Sequence, residues 1–444
     1  MENETTFYKQ NPKQNPHLPP RTKIYVGYDH FDERNTFHNG APNDNCSWLQ
    51  YYGIYLNLDW NIWSESDDNN IDACEMIEVD ALTFEGKYVY PINAFCSETQ
   101  LFGEVWDTTT LDEKSFFGNF IDAKVLDDLS EGRVLLHINY IHETYRYEDK
   151  HMKRLHEFLK EFNINPIYVL LSADNHRLQR DYDKWADKNG IGMGEKIRIM
   201  ETSFGEVGVE SYGNALGTKR VSTDIIKYDG FLQQRRFHFL NTMNTGKPYR
   251  VEIADWIELS RLEDKILYSA LWKGRRIPEE FHWPYDPDKY GVEPDDITKS
   301  NFDVDLHQFH EKQNPYYHTY CEIVTETVFD SSTIQMSEKT FKPLFNLMPF
   351  IVVGGAGHLE RLRSYGYKTF PSIFDESYDL MEDDRQRMQM IKSEIKKVCN
   401  LPINVLHHKY YDIFEDLVHN RDVFYKHTGG MRFLPDMIEM INNL

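Results

Sequence analysis

A strand–helix–strand–helix pattern between residues 322 and 379 restricts this chain to an α/β architecture. Residues 322–329 are rich in β-branched side chains and predict a strand. Ser337 is placed to cap the helix that follows, and the short apolar run 349–353 predicts a buried strand. Residues 358–365 then have helical spacing. We therefore expect a sheet whose strands are linked by helices in this region.

Charged residues and glycines cluster where the two predicted strands end. Glu326 lies near the carboxyl end of the first strand, and Lys339 and Lys342 are three residues apart on one helix face. Gly354 and Gly355 follow the second strand and let a backbone approach a ligand closely. Because α/β proteins bind ligands at the carboxyl edge of the sheet, these residues predict a site for a phosphate-bearing ligand.

Each of these features also has a simpler explanation. Glu338 and Lys342 have i,i+4 spacing and could form a solvated surface pair. Gly354 and Gly355 could form only a turn, because a lone glycine cluster is weak evidence for a ligand. Their combination at one sheet edge favours the ligand site.

The same stretch is similar to the donor-binding core of GT-B glycosyltransferases. The similarity rests on the Ser-Glu-Lys-Thr sequence 337–340, on Lys342-Pro343 and on the Pro-Phe-Ile sequence 349–351. It resembles the (T/S)EK segment of alpha-fucosyltransferases and, more closely, a group of phage-encoded glycosyltransferase-like proteins. In those proteins a glycine turn and a GFKTF strand follow, which correspond here to residues 366–370. The resemblance is specific for the domain and not for the sugar.

The resemblance implies roles for individual side chains. Glu338 would bind the ribose hydroxyls of a nucleotide sugar, and Lys339 and Arg250 would bind its diphosphate. Lys342 would add positive charge, and Glu326 would support the site from the neighbouring strand. Departure of the nucleoside diphosphate would then be stabilised by these cations without a metal ion.

A second segment fits the same domain. Residues 237–241 predict a strand, and a short loop carrying Lys247 leads to Arg250 at a helix start. The resembled proteins have a basic loop and an arginine at this place, so both side chains are expected to reach phosphate. The alternative is that Arg250 pairs with Glu252 or Asp255 on its own helix.

The N-terminal half contains its own βαβ unit. It consists of a strand at 133–139, a helix at 150–162 and a strand at 167–171, which indicates a second parallel sheet. The loop after the first strand carries His142 and Glu143. The loop after the second strand carries Ser172, Asp174, Asn175 and His176. Both loops are expected to face the donor site across a cleft.

Glu143 is the predicted base for the acceptor hydroxyl, and His142 is the second candidate. A carboxylate that is partly desolvated in a cleft has a raised pKa, which suits a base near neutral pH. The alternative is a structural ion pair of Glu143 with Arg146 or Lys150 at helical spacing.

A chain of 444 residues is too long for one ordinary core, so at least two domains are expected. The predicted fold class is α/β and GT-B-like, with two Rossmann-like domains facing each other across a cleft. The predicted parts are a flexible tail (1–20), an N-terminal acceptor-side domain (21–235), a C-terminal nucleotide-sugar-binding domain (236–400) and a helical segment that packs back on the N-terminal domain (401–444).

Composition limits the partners and the compartment. The net charge of −23 opposes loose binding to nucleic acid. Five widely spaced cysteines without metal-ligand spacing indicate reduced thiols and a cytoplasmic protein, inside the host cell if it is phage-encoded. No apolar run is long enough to predict a membrane span, and no signal peptide is expected. Asp303 and Asp305 have the spacing of a metal-binding DxD motif but lack a preceding apolar strand, so no metal site is expected.

The predicted function is therefore transfer of a sugar from a nucleotide-sugar donor to an acceptor hydroxyl. The acceptor stays open, and a modified DNA base is one option, with cations at 235–236 and 273–276 as candidate contacts. The alternative is a non-catalytic protein that binds a nucleotide or a glycan, or that is associated with a virion, and that retains a degenerate donor domain.

Overall fold

The computed structural model describes residues 22–28, 74–93, 121–140, 145–201, 226–227, 230–278, 315–428, 439–440 and 442–444. Three predicted features lie outside the described residues: the tail 1–20, the DxD sequence 303–305, and the loop that carries His142 and Glu143.

The N-terminal half forms a six-stranded sheet in which all neighbouring strands are parallel. Its elements are β1 (Thr22–Tyr28), β2 (Cys74–Asp80), β3 (Tyr88–Asn93), α1 (Ala123–Ser130), β4 (Val134–Tyr140), α2 (Asp149–Glu161), β5 (Val169–Ala173), α3 (Leu178–Lys188) and β6 (Arg198–Glu201). The spatial order is β2-β1-β3-β4-β5-β6. The predicted βαβ unit is present as β4, α2 and β5. Because Pro166 starts a 3₁₀ turn, β5 begins two residues later than predicted.

The C-terminal half forms a second parallel sheet, of four strands in the order β10-β9-β7-β8. Its elements are β7 (Phe237–Asn241), α4 (Pro248–Leu259), β8 (Ile266–Tyr268), β9 (Thr319–Thr325), α5 (Glu338–Phe345), β10 (Phe350–Val353), α6 (His358–Ser364), α7 (Asp384–Cys399), α8 (Ile403–Asp412) and α9 (Phe414–Thr428). Every residue of β7, β9 and β10 is buried, as expected for parallel strands covered on both faces.

Each sheet has its own hydrophobic core. The core of the larger sheet includes Leu136 of β4 and Leu155 of α2. That of the smaller sheet includes Phe239 of β7, Ile323 of β9 and Ile351 of β10. Two separate cores on two parallel sheets confirm the α/β class and agree with two Rossmann-like units.

The segment 366–370, which the resemblance assigns to a strand, is not part of the sheet. Gly366 has a φ of +90° and ends α6, which suits a glycine after a helix. The side-chain amide of Asn420 in α9 then accepts from the Lys368 amide at 2.7 Å and donates to the Lys368 carbonyl at 2.8 Å. The Asn420 amide thus replaces a neighbouring strand as the partner of this backbone.

The helices at the C-terminus pack mainly on the smaller sheet. Tyr410 of α8 and Phe424 of α9 are fully buried in its core. Among the described residues after α9, the Leu444 carbonyl accepts a hydrogen bond from Lys87 of the N-terminal half. Within the predicted boundaries, α8 also contacts the end of the N-terminal domain, because the Tyr411 hydroxyl donates to the Ile226 carbonyl at 2.8 Å and His407 Nε2 lies 3.0 Å from the Phe231 carbonyl. The packing of the whole segment 401–444 on that domain stays a prediction. No described helix is long and apolar enough to cross a membrane.

Candidate functional site

Glu326 is the centre of a hydrogen-bond cluster at the carboxyl edge of the smaller sheet. It follows β9 directly and is fully buried. Oε1 accepts from the Ser337 amide at 3.1 Å and from the Thr340 hydroxyl. Oε2 accepts from the Ser337 hydroxyl at 2.6 Å and from the Thr327 amide at 3.1 Å. This one carboxylate therefore fixes the start of α5 against the end of β9.

Ser337 caps α5 as predicted, and a buried histidine extends the cluster. The Ser337 hydroxyl accepts from the Lys339 amide at 3.4 Å. His358 Nε2 lies 3.0 Å from the Thr340 hydroxyl, which itself donates to Glu326. Burial lowers the pKa of His358, so the neutral imidazole is favoured. The resulting order is His358 to Thr340 to Glu326, each group donating to the next.

Protein backbone fills the space beside the glycine turn. A Cβ atom on Gly355 would lie 2.2 Å from the Thr333 carbonyl oxygen, so the close approach that requires glycine is made by the chain itself. A Cβ on Gly354 would lie 2.9 Å from Val352 Cγ1 and 3.4 Å from His358 Nδ1. The role of the two glycines as direct ligand contacts stays a prediction.

The N-terminus of α6 is likewise occupied by a side chain of this protein. Both carboxylate oxygens of Asp379 accept backbone N–H groups, from Leu359 and Glu360, each at 3.0 Å. A carboxylate in this position uses the partial positive charge that would otherwise attract phosphate. A phosphate group at this N-terminus would therefore have to displace Asp379.

Arg387 and Asp379 are the structural residues that sequence reasoning missed. Arg387 is 1% exposed and donates to the carbonyls of Gly354 and Phe329, which joins the glycine turn to the loop after β9. The sequence contained a signal for Arg387, because this residue lies on the apolar stripe of α7 that includes Ile391 and Ile395. A charged side chain on a buried stripe needs hydrogen-bond partners.

Three predicted cations converge on the residues that follow β9. Lys247 Nζ donates to the Thr327 carbonyl at 2.8 Å. Arg250, which is 2% exposed, donates through one guanidinium nitrogen to the carbonyls of residues 325 and 326, at 3.1 and 2.9 Å. Lys339 Nζ lies 3.3 Å from the Thr327 hydroxyl. The structure thus brings together Lys247, Arg250 and Lys339 from two helix starts, as the sequence predicted.

Glu338 is not a solvated surface residue. It is 9% exposed, and Lys339 Nζ donates to it at 2.5 Å. Burial acts to raise the pKa of Glu338, but Lys339 and Lys342 outweigh it and hold that pKa below the usual value. The surface-pair alternative for Glu338 and Lys342 is therefore wrong, because both side chains are buried.

The alternative that Arg250 pairs with Glu252 or Asp255 on its own helix is also wrong, because both carboxylates have other partners. Glu252 pairs with Lys392 at 2.5 Å, and Asp255 pairs with Lys273 at 2.6 Å. Arg250 instead bonds to backbone carbonyls, and its Nε has no hydrogen-bond partner among the described residues.

The larger sheet contributes residues to the same place. Oδ1 of Asp174, just after β5, accepts from the Met336 amide at 3.2 Å. The His176 amide donates to the Ile334 carbonyl at 2.8 Å, and Arg177 donates to two further carbonyls of the C-terminal half. The loop after β5 thus packs directly against the segment before α5 and against the glycine turn, and its role at a donor site stays a prediction.

Charged groups of both signs lie around the end of β9. Four cations, at positions 247, 250, 339 and 342, stand against the carboxylates of Glu326 and Glu338. Asp174 is the third carboxyl group, and burial raises its pKa well above the usual value, with further contributions from Glu326 and Glu338. Burial thus disfavours a negative charge on Asp174.

Three of the cations proposed for a nucleic-acid groove, Arg235, Lys273 and Arg275, have intramolecular partners. Arg235 is 6% exposed, donates to the Thr319 carbonyl at 2.6 Å and lies over the Tyr410 ring. Lys273 pairs with two carboxylates, and Arg275 lies 3.9 Å from the centre of the Tyr268 ring. These contacts indicate a structural role for Arg235, Lys273 and Arg275.

A depression of about 460 Å³ lies elsewhere on the smaller-sheet half. It is lined by Arg363, Tyr367, Lys368, Thr369, Pro371, Ser372, Ile413 and Asp416. None of these residues belongs to the cluster around Glu326, and the depression is widely open, so we do not assign it to the predicted site. Among the described residues, no group of His, Cys, Asp and Glu side chains has the arrangement of a metal site.

Comparison with known proteins does not add to this description. No protein-family model matches the sequence, and no characterised protein matches it significantly.

Proposed function

We propose that this protein is a GT-B-like glycosyltransferase that binds a nucleotide sugar at the end of β9 and transfers the sugar to an acceptor hydroxyl. The observation that carries the proposal is the convergence of Lys247, Arg250 and Lys339 on residues 325–327. This convergence lies at the carboxyl edge of a parallel sheet, where α/β proteins bind nucleotides.

The chemistry follows from the charge at this edge. The cations that converge there suit a diphosphate, whose own negative charge grows as it leaves the sugar. Glu338, next to Lys339, supplies a carboxylate for ribose hydroxyls. The role of Glu326 is to hold the Ser337 turn, since all its hydrogen bonds described above go to the protein.

The decisive experiment is a ligand screen followed by an activity test. Thermal unfolding is measured with UDP, GDP, ADP and CMP, because a ligand of the folded state raises the midpoint. The sugar conjugates of the nucleotide that binds are then tested for donor hydrolysis. A midpoint shift with one nucleotide and release of that nucleotide from its sugar conjugate are expected. Binding without hydrolysis or transfer would support the non-catalytic alternative, and absence of both would contradict the proposal.

A further inference from the structure

Asp174 connects the two sheets at the start of the proposed donor site. It is the first residue past β5, is 3% exposed and accepts a 3.2 Å hydrogen bond from the Met336 amide. Met336 directly precedes Ser337, the cap of α5. A side chain of the larger sheet thus holds a backbone group one residue away from the cap and three away from Lys339.

The position of the Ser337 turn is set from two sides. Glu326 holds the Ser337 amide and hydroxyl from the smaller sheet, while Asp174 holds the Met336 amide from the larger one. Loss of either carboxyl group leaves a buried N–H donor without its acceptor. The turn and the Lys339 side chain that follows it would then be free to shift.

We propose that Asp174 is a positioning residue through which the larger sheet sets the Ser337–Lys339 turn, and thereby the affinity of that turn for a phosphate-bearing ligand. The identity of the ligand as a nucleotide rests on the proposed function. The positioning itself does not, because it follows from the contact with Met336.

The surroundings of Asp174 give the proposal a pH dependence. Glu326 faces it from the end of β9 and Glu338 from α5, and His176 Nε2 of its own loop lies 3.4 Å from Oδ1. Burial and the two glutamates raise the pKa of Asp174, whereas the Met336 amide opposes the shift. When the pH rises through that pKa, a negative charge appears beside the ligand site and repels a diphosphate.

Two substitutions distinguish the positioning of the turn by Asp174 from the effect of the Asp174 charge. Asp174→Ala removes the acceptor of the Met336 amide, and about tenfold weaker binding of the nucleoside diphosphate is expected by titration calorimetry. Asp174→Asn keeps a carbonyl oxygen but never ionises, so its affinity should depend less on pH than that of the unmodified protein. Asp187→Asn, at an exposed aspartate of α3, is the matched control and should follow the unmodified protein.

The proposal is contradicted if Asp174→Ala binds the nucleoside diphosphate as tightly as the unmodified protein does. It is also contradicted if the affinity of Asp174→Asn varies with pH in the same way as that of the unmodified protein. If the unmodified protein binds no nucleotide, the proposed function fails, and the positioning is tested by hydrogen exchange instead. Asp174→Ala should then exchange the amides of residues 336–339 faster, while Asp187→Asn should not. Unchanged exchange at these amides would overturn the positioning as well.

Discussion

The Ser337 hydroxyl donates a 2.6 Å hydrogen bond to Oε2 of Glu326, and this contact joins the first turn of α5 to the end of β9. Glu326 has no exposed surface, so its oxygens depend on protein donors. A buried carboxylate is stable only when such donors surround it. The Ser-Glu-Lys-Thr sequence therefore supplies both Lys339, the proposed phosphate contact, and the hydroxyls that hold Glu326 in place.

Glu326→Gln should lower the free energy of unfolding by about 3 kcal/mol. The substituted amide nitrogen is a donor and would face the N–H and O–H donors that now bond to the carboxylate. Urea denaturation measures the effect. Glu360→Gln, at an exposed glutamate of α6, is the control and should change stability by less than about 0.5 kcal/mol. Equal stability of the two variants would show that the Glu326 cluster contributes little.

Lys339→Met should weaken nucleotide binding by about tenfold to a hundredfold. Some loss of stability is also expected, because the buried Glu338 loses its nearest cation. Methionine keeps the buried stem of the side chain and removes its charge, while Lys342 still balances Glu338. Titration calorimetry with the nucleotide found in the screen is the measurement. Lys396→Met, on the exposed face of α7, should bind normally. Unchanged affinity of Lys339→Met would show that Lys339 does not contact the phosphates.

Arg250→Ala is expected to lose both nucleotide affinity and stability. Its guanidinium holds the Thr325 and Glu326 carbonyls, and its removal leaves two buried acceptors without this donor. A loss of about 2 kcal/mol in unfolding free energy is expected by urea denaturation. Normal stability together with lost binding would show that Arg250 acts only on the ligand, and normal binding would exclude it from the phosphate site.

The stability of the larger sheet should fall in mild acid because of His137. This residue of β4 is fully buried, lies 2.8 Å from the Ser172 hydroxyl, and has a pKa that burial lowers to about 3. The unfolded chain therefore binds the proton first, and stability is lost as the pH falls from about 6.5 towards 3, by up to about 1.4 kcal/mol per pH unit.

His137→Asn should reduce that slope in denaturation curves recorded between pH 6.5 and 4, whereas substitution of the exposed His408 by Gln should leave it unchanged. An unaltered slope in His137→Asn would assign the acid sensitivity to other groups, among them the buried His358, whose pKa is also lowered by burial.

The features that the sequence predicted correctly depend on neighbouring residues, whereas the features that it missed depend on contacts between distant parts of the chain. The strands at 237–241 and 349–353 and the cap at Ser337 depend on local pattern, and the structure contains them within one residue. The contact of Asp174 with Met336 joins residues 162 positions apart, so no local pattern could assign it.

The contacts of the two glycines and of the segment 366–370 could not be predicted for the same reason, because they also join distant parts of the chain. Gly355 packs against Thr333, and the Asn420 side chain bonds to the backbone of Lys368. Both are tertiary contacts. A glycine run and an extended sequence look alike whether a ligand, a strand or a side chain meets them. The resemblance predicted a strand at residues 366–370, whereas in the structure the Asn420 side chain of α9 bonds to this backbone.

Donor hydrolysis or transfer should persist in excess EDTA. The expectation rests on the cations at the end of β9, which can balance the charge of a diphosphate without a metal ion. The rate is compared with and without the chelator, and then with added Mg²⁺ or Mn²⁺. A complete loss that either ion reverses would contradict metal independence and point to Asp303 and Asp305.

Glu143→Gln should keep donor affinity and lose about a hundredfold or more in turnover, as expected for a base that activates the acceptor hydroxyl. Glu143 itself lies outside the described residues, but the ends of its loop are placed. The loop leaves the carboxyl end of β4 and returns at Tyr145, whose carbonyl accepts from the Asn175 side chain at 2.8 Å. Asn175 is next to Asp174, so the loop ends beside the contact between the two sheets.

The measurement is a comparison of kcat and of nucleotide affinity in Glu143→Gln, His142→Gln and Glu148→Gln. Glu148 lies next to the start of α2 and pairs with Lys150 at 2.8 Å, which makes it the matched control. If Glu143 is the base, only its variant loses turnover at unchanged affinity. If His142→Gln alone loses turnover, the histidine takes that role, because neutral imidazole is an equally competent base near pH 7. Unchanged turnover in both variants would remove this loop from the chemistry.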